Sequence, residues 1–221
     1  MRKGLFIAAN VIGSSEKDIH AMTIIKVGIT GGIGSGKTTV CKMFEELGIP
    51  VYYADDRAKY LMQHEHHLID EIKKKFGEEV YTNGILNRNV LAEKVFNDKA
   101  KLEALNALVH PAVYHDTDVW MEEQKGKKVP YSLREAALLV ETGSYKTLDK
   151  LIVVTAPIDT RMKRVSLRDS VEIEEVMTRV RNQLPEEEKV KLADIVIKND
   201  KDLEHLKKQV LKIHEALLEH K

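Results

Sequence analysis

The chain has 221 residues, 43% of them hydrophobic and 32% charged, which suits one large globular domain or one domain with insertions. Lys plus Arg and Asp plus Glu both number 35, so the formal net charge is zero, whereas a general nucleic-acid binder carries a basic excess. One cysteine, Cys41, excludes an intramolecular disulfide and fits a reducing compartment, and no apolar run approaches the ~18 residues of a membrane-spanning helix.

Residues 1–21 read as a loose N-terminal tail, or as an upstream extension ahead of a start at Met22. The run Gly4 to Gly13 after Arg2-Lys3 faintly resembles a signal peptide, but Asn10 interrupts it and Glu16, Lys17 and Asp18 follow. A first β-branched strand spans Ile24 to Thr30. Then comes Gly31-Gly32-Ile33-Gly34-Ser35-Gly36-Lys37-Thr38, which fits the phosphate-binding loop G-x-x-x-x-G-K-[ST] at every fixed position. A helix from about Lys37 to Leu47 follows it, with Gly48 as a C-terminal stop.

That order of strand, loop and helix is what polyphosphate binding needs. Glycines let the backbone wrap closely around the phosphates with N–H groups turned inward. The helix N-terminus adds roughly half a positive charge. Lys37 would reach the β- and γ-phosphates, and the Thr38 hydroxyl would ligate Mg²⁺. A glycine-rich turn without nucleotide is the competing interpretation. Cys41, early in this helix, fits a small buried core residue better than a reactive thiol.

Val51-Tyr52-Tyr53 reads as a second strand, and about Asp55 to Phe76 as a helical region. A strand–helix–strand crossover makes the two strands parallel, so both end on the same edge of the sheet, where ligands bind in such folds. Asp55, directly after the second strand, therefore faces the phosphate loop. A carboxylate there accepts a hydroxyl proton, orients an acceptor, or reaches Mg²⁺ through water; a helix N-cap is the alternative, and Asp56 is the neighbouring candidate. His64-x-His66-His67 lacks a further ligand set and reads as a solvated helix end.

Tyr81-Thr82-Asn83-Gly84 signals a turn. Asn89 and Asp98 are predicted N-caps of two further helices, the second with Leu102, Leu105 and Leu108 and interrupted at Pro111. Lys128 to Leu133 and Leu151 to Thr155 read as strands. Residues Asp159 to Asp169 and Val171 to Lys191 read as charged helices. Asp194 to Ile197 is a last short strand, and Asp202 caps a final helix whose stripe Leu203, Leu206, Val210, Ile213 and Leu217 packs on the core.

Alternating strands and helices predict an α/β, three-layer P-loop NTPase fold with a central parallel sheet, a helical acceptor-binding insertion and a helical lid. One kinase domain is expected over 22–221, with its core about 24–54 and 128–221, the acceptor-binding region about 55–127 and the lid about 159–191. No Asp has Gly three residues later, and no S-G-G-Q occurs. Those absences disfavour a GTPase switch or a transporter and favour a small-molecule kinase.

From about Ile24 to Ile213 the chain resembles the dephospho-CoA kinase family. Gly28 to Val40 is similar to that family's opening, Ala54-Asp55 to the end of its Asp-Ala-Asp segment, and Leu86-Asn87-Arg88 and Leu105 to Pro111 to two further stretches. Leu138-Leu139-Val140-Glu141 resembles its Pro-Leu-Leu-x-Glu stretch, and Ala193 to Asn199 its Ala-Asp-x-x-Ile-x-Asn ending. The P-loop is widely shared; the ordered set of the other stretches is specific.

The resemblance implies ATP-dependent phosphorylation of the ribose 3′-hydroxyl of dephospho-CoA, with ATP and Mg²⁺ as cofactors, in the cytoplasm. Partners would be the small-molecule substrate, no nucleic acid and no membrane, in a monomer or small homo-oligomer. Catalytic residues would be Asp55 as base, Lys37, and Arg164 as the lid arginine, with Arg161 and Arg168 nearby. Nucleotide contacts would come from Gly32, Ile33, Gly34, Ser35, Gly36, Lys37, Thr38, Thr39 and Asn199. Acceptor contacts would come from Asp55, Arg88 and His110, and metal contacts from Thr38 and Glu135. Arg88 also reads as a surface ion pair, His110 as a helix-end hydrogen bond, and Glu135 as a surface residue. Tyr53, Glu135 and Ala137 depart from the family's Asp, Asp and Pro. The alternatives are another small nucleoside or nucleotide kinase, or a nucleotide-binding regulator with weak turnover.

Overall fold

A computed structural model of the protein describes residues 24–96 and 98–219. The N-terminal segment 1–21 and the start at Met22 lie outside those residues. In chain order the elements are β1 (Ile25–Thr30), α1 (Lys37–Glu46), β2 (Val51–Tyr53), α2 (Ala54–His64), α3 (His66–Phe76), β3 (Tyr81–Thr82), β4 (Ile85–Leu86), α4 (Arg88–Phe96) and α5 (Lys99–Gly126). They continue with β5 (Tyr131–Glu135), β6 (Lys150–Thr155), α6 (Ile158–Asp169), α7 (Ile173–Arg181), α8 (Glu186–Leu192), β7 (Ile195–Lys198) and α9 (Leu203–Glu219).

Five strands form one sheet in the order β2-β5-β1-β6-β7, every pair parallel. Parallel neighbours require crossovers, and helices supply them on both faces. Side chains alternate across each strand. Val27 and Ile29 of β1, Tyr131 and Leu133 of β5, and Ile152 and Val154 of β6 join a core with Val40 and Phe44 of α1 and Leu206, Val210 and Leu217 of α9. The opposite face carries Tyr52, Leu151 and Val153, buried with residues of α2 to α5. Cys41 is fully buried in the α1 core. Asp202 caps α9 by accepting from His205 N at 2.8 Å, and of the expected stripe only Leu203 stays exposed.

Several expected elements differ. The helical region after β2 breaks at Glu65, whose backbone is extended and whose carboxylate caps α3 by accepting from His67 N and Leu68 N. Asn83-Gly84 is the turn of the β3–β4 hairpin, with positive φ of 52° and 78°. The cap of α4 is Asn87, which accepts from Val90 N at 3.3 Å, and not Asn89. Asp98 does cap α5, accepting from Lys101 N at 3.1 Å. Pro111 ends nothing: α5 runs 28 residues through it. Proline costs a helix one hydrogen bond and some strain, but Val109 and Val113 on either side are buried in the core and hold the turn together. The helix expected over Val171 to Lys191 is two, because Pro185 stands at the N-cap of α8. Strand β5 starts later than expected and extends to Glu135.

Candidate active site

The phosphate loop joins β1 to α1 at the C-terminal edge of the sheet, the edge where open α/β sheets bind ligands. Lys37 Nζ donates to Gly31 O at 3.1 Å and lies 4.0 Å from Glu135 Oε1. Burial lowers the Lys37 pKa, and the facing carboxylates of Glu135 and Asp55 oppose that shift. Gly36 has φ +94°, and a Cβ there would collide with Asn199 Nδ2. Gly34 has φ +78°, and a Cβ would lie 2.5 Å from the Arg161 carbonyl oxygen. Both positions therefore require glycine for conformation and for space.

Three distant segments brace the loop. Asn199, after β7, donates from Nδ2 to Ser35 O at 2.8 Å and is buried. Arg161 of α6 donates from Nε to Ile33 O at 3.0 Å while its Nη1 pairs with Glu186 Oε2 at 3.2 Å. Gln183, between α7 and α8, accepts from Ile33 N at 2.8 Å. Arg164 Nη2 reaches Asn199 Oδ1 at 3.5 Å, but its buried Nη1 has no partner, nor has Ser35 Oγ. Buried donors left open at a loop of this shape are what an anion would satisfy. Thr38 and Thr39 are exposed at the start of α1. Arg168 points away, paired with Asp169. A cavity of about 730 Å³ between lid and sheet is lined by Pro157, Arg161, Arg181, Lys198 and Asp200.

Glu135 is no surface residue. It ends β5, is buried, and faces Lys37 because odd-numbered positions of β5 point toward α1. Burial pushes its carboxyl up to about 7, the Lys37 ammonium pulls it down, and Asp55 and Asp56 push it further up. Hard oxygen donors suit Mg²⁺, which takes one or two carboxylates and leaves its other positions to phosphate and water. Thr38 and Glu135 fit that demand beside the phosphate loop. Among the described residues no group of three or more His, Cys, Asp or Glu side chains is placed to hold a metal, and His64 stacks on Tyr60 at 4.4 Å.

Asp55 opens α2 and stays exposed, accepting from Ala137 N at 3.4 Å. A proline at position 137 would have no N–H to give. Asp55 sits on the rim of a cavity of about 250 Å³ with Asn106, His110 and Ser144 further in. His110 is mid-helix, not at a helix end; burial first and the Arg134 charge second lower its pKa, so the ring stays neutral at pH 7. Arg88 lies elsewhere, exposed beside the β3–β4 hairpin. The geometry thus gathers Lys37, Thr38, Asp55, Glu135, Arg164 and Asn199 at one edge, brings His110 to the adjoining cavity, and leaves Arg88 apart.

Comparison with known proteins agrees with that geometry. The family model described as CoaE, dephospho-CoA kinase, matches residues 25–205. The chain belongs to the dephospho-CoA kinase family. Its enzymes are phosphotransferases acting on an alcohol group. A relative from Salinibacter ruber, named dephospho-CoA kinase, is 40% identical over 86% of this chain and 96% of its own length. One of the same name from Hydrogenovibrio crunogenus is 36% identical over 83% and 93%. A crystal structure of a Thermus thermophilus protein superposes with a TM-score of 0.78 at 39% identity, covering 88% of this chain and 98% of that one. Dephospho-CoA kinase from Campylobacter jejuni superposes with a TM-score of 0.67 at 25% identity, with the same coverage.

Sequence motifs give no sign that Gln183 and Arg161 brace the loop. Gln183 carries no local signature at all. Arg161 stands out only as one basic residue of a charged helix; its spacing to Glu186, 25 residues on, follows no rule of sequence. A signal for Arg134 does exist: a charged residue beside buried Leu133 and Glu135 on a strand of a two-faced sheet.

Proposed function

We propose that this protein transfers the γ-phosphoryl group of ATP to the ribose 3′-hydroxyl of dephospho-CoA, giving coenzyme A and ADP in the cytoplasm. The observation that carries this reading is the meeting of two compartments at Asp55. On one side lies the phosphate loop with Lys37; on the other lies the cavity that Asp55 lines together with His110.

Phosphoryl transfer needs in-line placement and charge neutralisation more than covalent chemistry. Asp55 holds the 3′-hydroxyl and takes its proton as the new O–P bond forms and the bond to the ADP oxygen breaks. The loop amides, Lys37 and Ser35 hold the transferred and leaving phosphates. Arg164, with an open Nη1 over the loop, faces the charge that spreads onto the phosphoryl oxygens. Thr38 and Glu135 are the residues that would hold Mg²⁺, whose chemistry there is neutralisation of the β- and γ-phosphate charge. Asn199 and the lid cavity accommodate the rest of the nucleotide. Closure of the lid excludes water and protects ATP from hydrolysis.

The test is ADP release from Mg-ATP by purified protein, with dephospho-CoA, AMP or adenosine as acceptor. The reading expects release that depends on dephospho-CoA and a product phosphorylated at the 3′-position. Release stimulated only by AMP or adenosine would replace the substrate assignment.

A further inference from the structure

We infer that Arg134 is the residue that recognises the anionic part of the acceptor, binding the pyrophosphate that joins the ribose to the pantetheine arm. The inference rests on the acceptor reading of the cavity beside Asp55.

Arg134 is the even-numbered neighbour of Glu135 on β5, so its side chain leaves the sheet on the face opposite Lys37. Its register partners are Tyr52 of β2 and Gly28 of β1, and Tyr52 is buried against α5. Asp55 follows Tyr52 by three residues. The two positions are therefore about 10 Å apart along the strand direction and about 4.8 Å across it, or less where α2 turns. Both line the same cavity.

The guanidinium makes no ion pair among the described residues, and its buried Nε has no hydrogen-bond partner. Asp118 of α5 shares a cavity with Arg134 and its charge favours the guanidinium, but it makes no ion pair with it, and Asp116 of the same helix is held by Arg57 at 2.5 and 2.8 Å and by Tyr52 at 2.6 Å. What Arg134 has instead is an aromatic platform, the Tyr114 ring 5.2 Å from its carbon centre. The residue is partly buried, and most buried donors in proteins are satisfied, so the open Nε calls for a partner. A planar fork with open donors, held in place by an aromatic ring, is the arrangement that binds phosphate oxygens.

The layout also matches the order of groups in the acceptor. Arg134 and Tyr114 form a shared wall between the Asp55 cavity and a second one of about 250 Å³, whose lining includes Trp120, Met121 and Leu148. A ribose at Asp55 places its 5′-pyrophosphate toward that wall and the long, mostly apolar arm beyond it.

The experiment compares the native protein with Arg134→Met and Arg134→Lys. Acceptor dissociation constants are measured by calorimetry for dephospho-CoA and adenosine, with a non-hydrolysable ATP analogue saturating the nucleotide site. Kinetics give KM for each substrate. Loss of a charge-assisted bidentate contact predicts that Arg134→Met weakens dephospho-CoA binding by about 10- to 100-fold and adenosine binding by less than about twofold. KM for dephospho-CoA follows, KM for ATP does not, and Arg134→Lys recovers part of the loss. Thermal unfolding of the ligand-free Met variant is expected at or above the native temperature, because a partly buried charge without an ion pair has gone. Equal losses for both acceptors, a loss carried by ATP, or no change for dephospho-CoA would overturn the inference. Native protein that binds dephospho-CoA in an Arg134-dependent way but does not phosphorylate it would instead overturn the proposed reaction and leave the recognition role standing.

Discussion

Glu141 and Lys189 form the contact whose loss should be felt most widely. Lys189 of α8 is fully buried, its Nζ 2.6 Å from Glu141 Oε1 and 3.3 Å from Ala137 O. Glu141 Oε1 also accepts from Leu184 N at 3.1 Å, so one carboxylate fastens both the start of α8 and its buried cation to the segment after β5. Substituting Glu141→Gln keeps the shape and one acceptor oxygen but strips the counter-charge from Lys189. Breaking one partner out of a buried pair costs ~3–5 kcal/mol, and the remaining 19% exposure of the Glu141 side chain favours the lower end. For a domain of this size that is a fall of about 6–12 °C in Tm. Urea unfolding at pH 7 measures it directly. The double variant Glu141→Gln with Lys189→Met should return to within ~1 kcal/mol of the native protein, since no charge is then stranded. A single variant within ~1 kcal/mol of native, or a double variant no better than the single, would refute the reasoning.

Three further outcomes follow from the site. Asp55→Asn should cut kcat by about 10²- to 10⁴-fold with little change in ATP affinity, read by ADP release and nucleotide titration; undiminished turnover would remove Asp55 from the base role. Gly36→Ala should lose ~1–3 kcal/mol in denaturant unfolding and weaken ATP binding, because φ of +94° and contact with Asn199 Nδ2 both exclude a side chain; full ATP affinity would contradict the assigned geometry. Glu135→Gln should change how stability depends on pH in the nucleotide-free protein without divalent metal. The Glu135 carboxyl is pushed up from 4.5 to about 7, so the folded state keeps a proton that the unfolded chain releases, and unfolding free energy falls as pH rises through that window. The window amounts to at most ~3 kcal/mol, present in native protein and absent from the variant, so parallel stability curves at pH 5 and 8 would refute it.

The parts of this site that sequence reveals are those whose geometry is local. The phosphate loop is readable because a strand, glycines, Lys37 and a helix follow one another without a break from Ile25 to Glu46, and the backbone that would bind phosphate is the same backbone that carries the motif. Asp55 is readable at one remove, through the rule that parallel strands end on a common edge. Asn199 enters through the family resemblance alone, and the structure shows what its side chain does, since the amide holds Ser35 O from 164 residues away. Two of the helix boundaries that differ, those of α3 and α4, share one cause. Glu65 and Asn87 act as caps through side-chain bonds to N–H groups two or three residues on, while Asn89 offered the same chemistry one turn-position away. At Pro111 burial of the flanking valines outweighs a local penalty, which no propensity scale registers.

Strand β5 ties the two sides of the proposed site together. Its last two residues, Arg134 and Glu135, are neighbours in sequence but face opposite layers, since side chains alternate along a strand. Glu135 turns to the α1 side and joins Lys37, where negative charge suits a metal held against phosphates. Arg134 turns to the α5 side and joins Tyr114 and His110, where positive charge suits an anionic acceptor. Had either residue shifted by one position, both charges would face the wrong layer. The segment that follows, Ala136-Ala137, passes under Asp55 and lends it a backbone N–H. The pair of charges and the hydrogen bond that steadies Asp55 thus depend on a single register, that of β5 between β1 and β2. A substitution that slipped this register would disable nucleotide and acceptor binding together, whereas Arg134→Met and Glu135→Gln should each impair one side and spare the other.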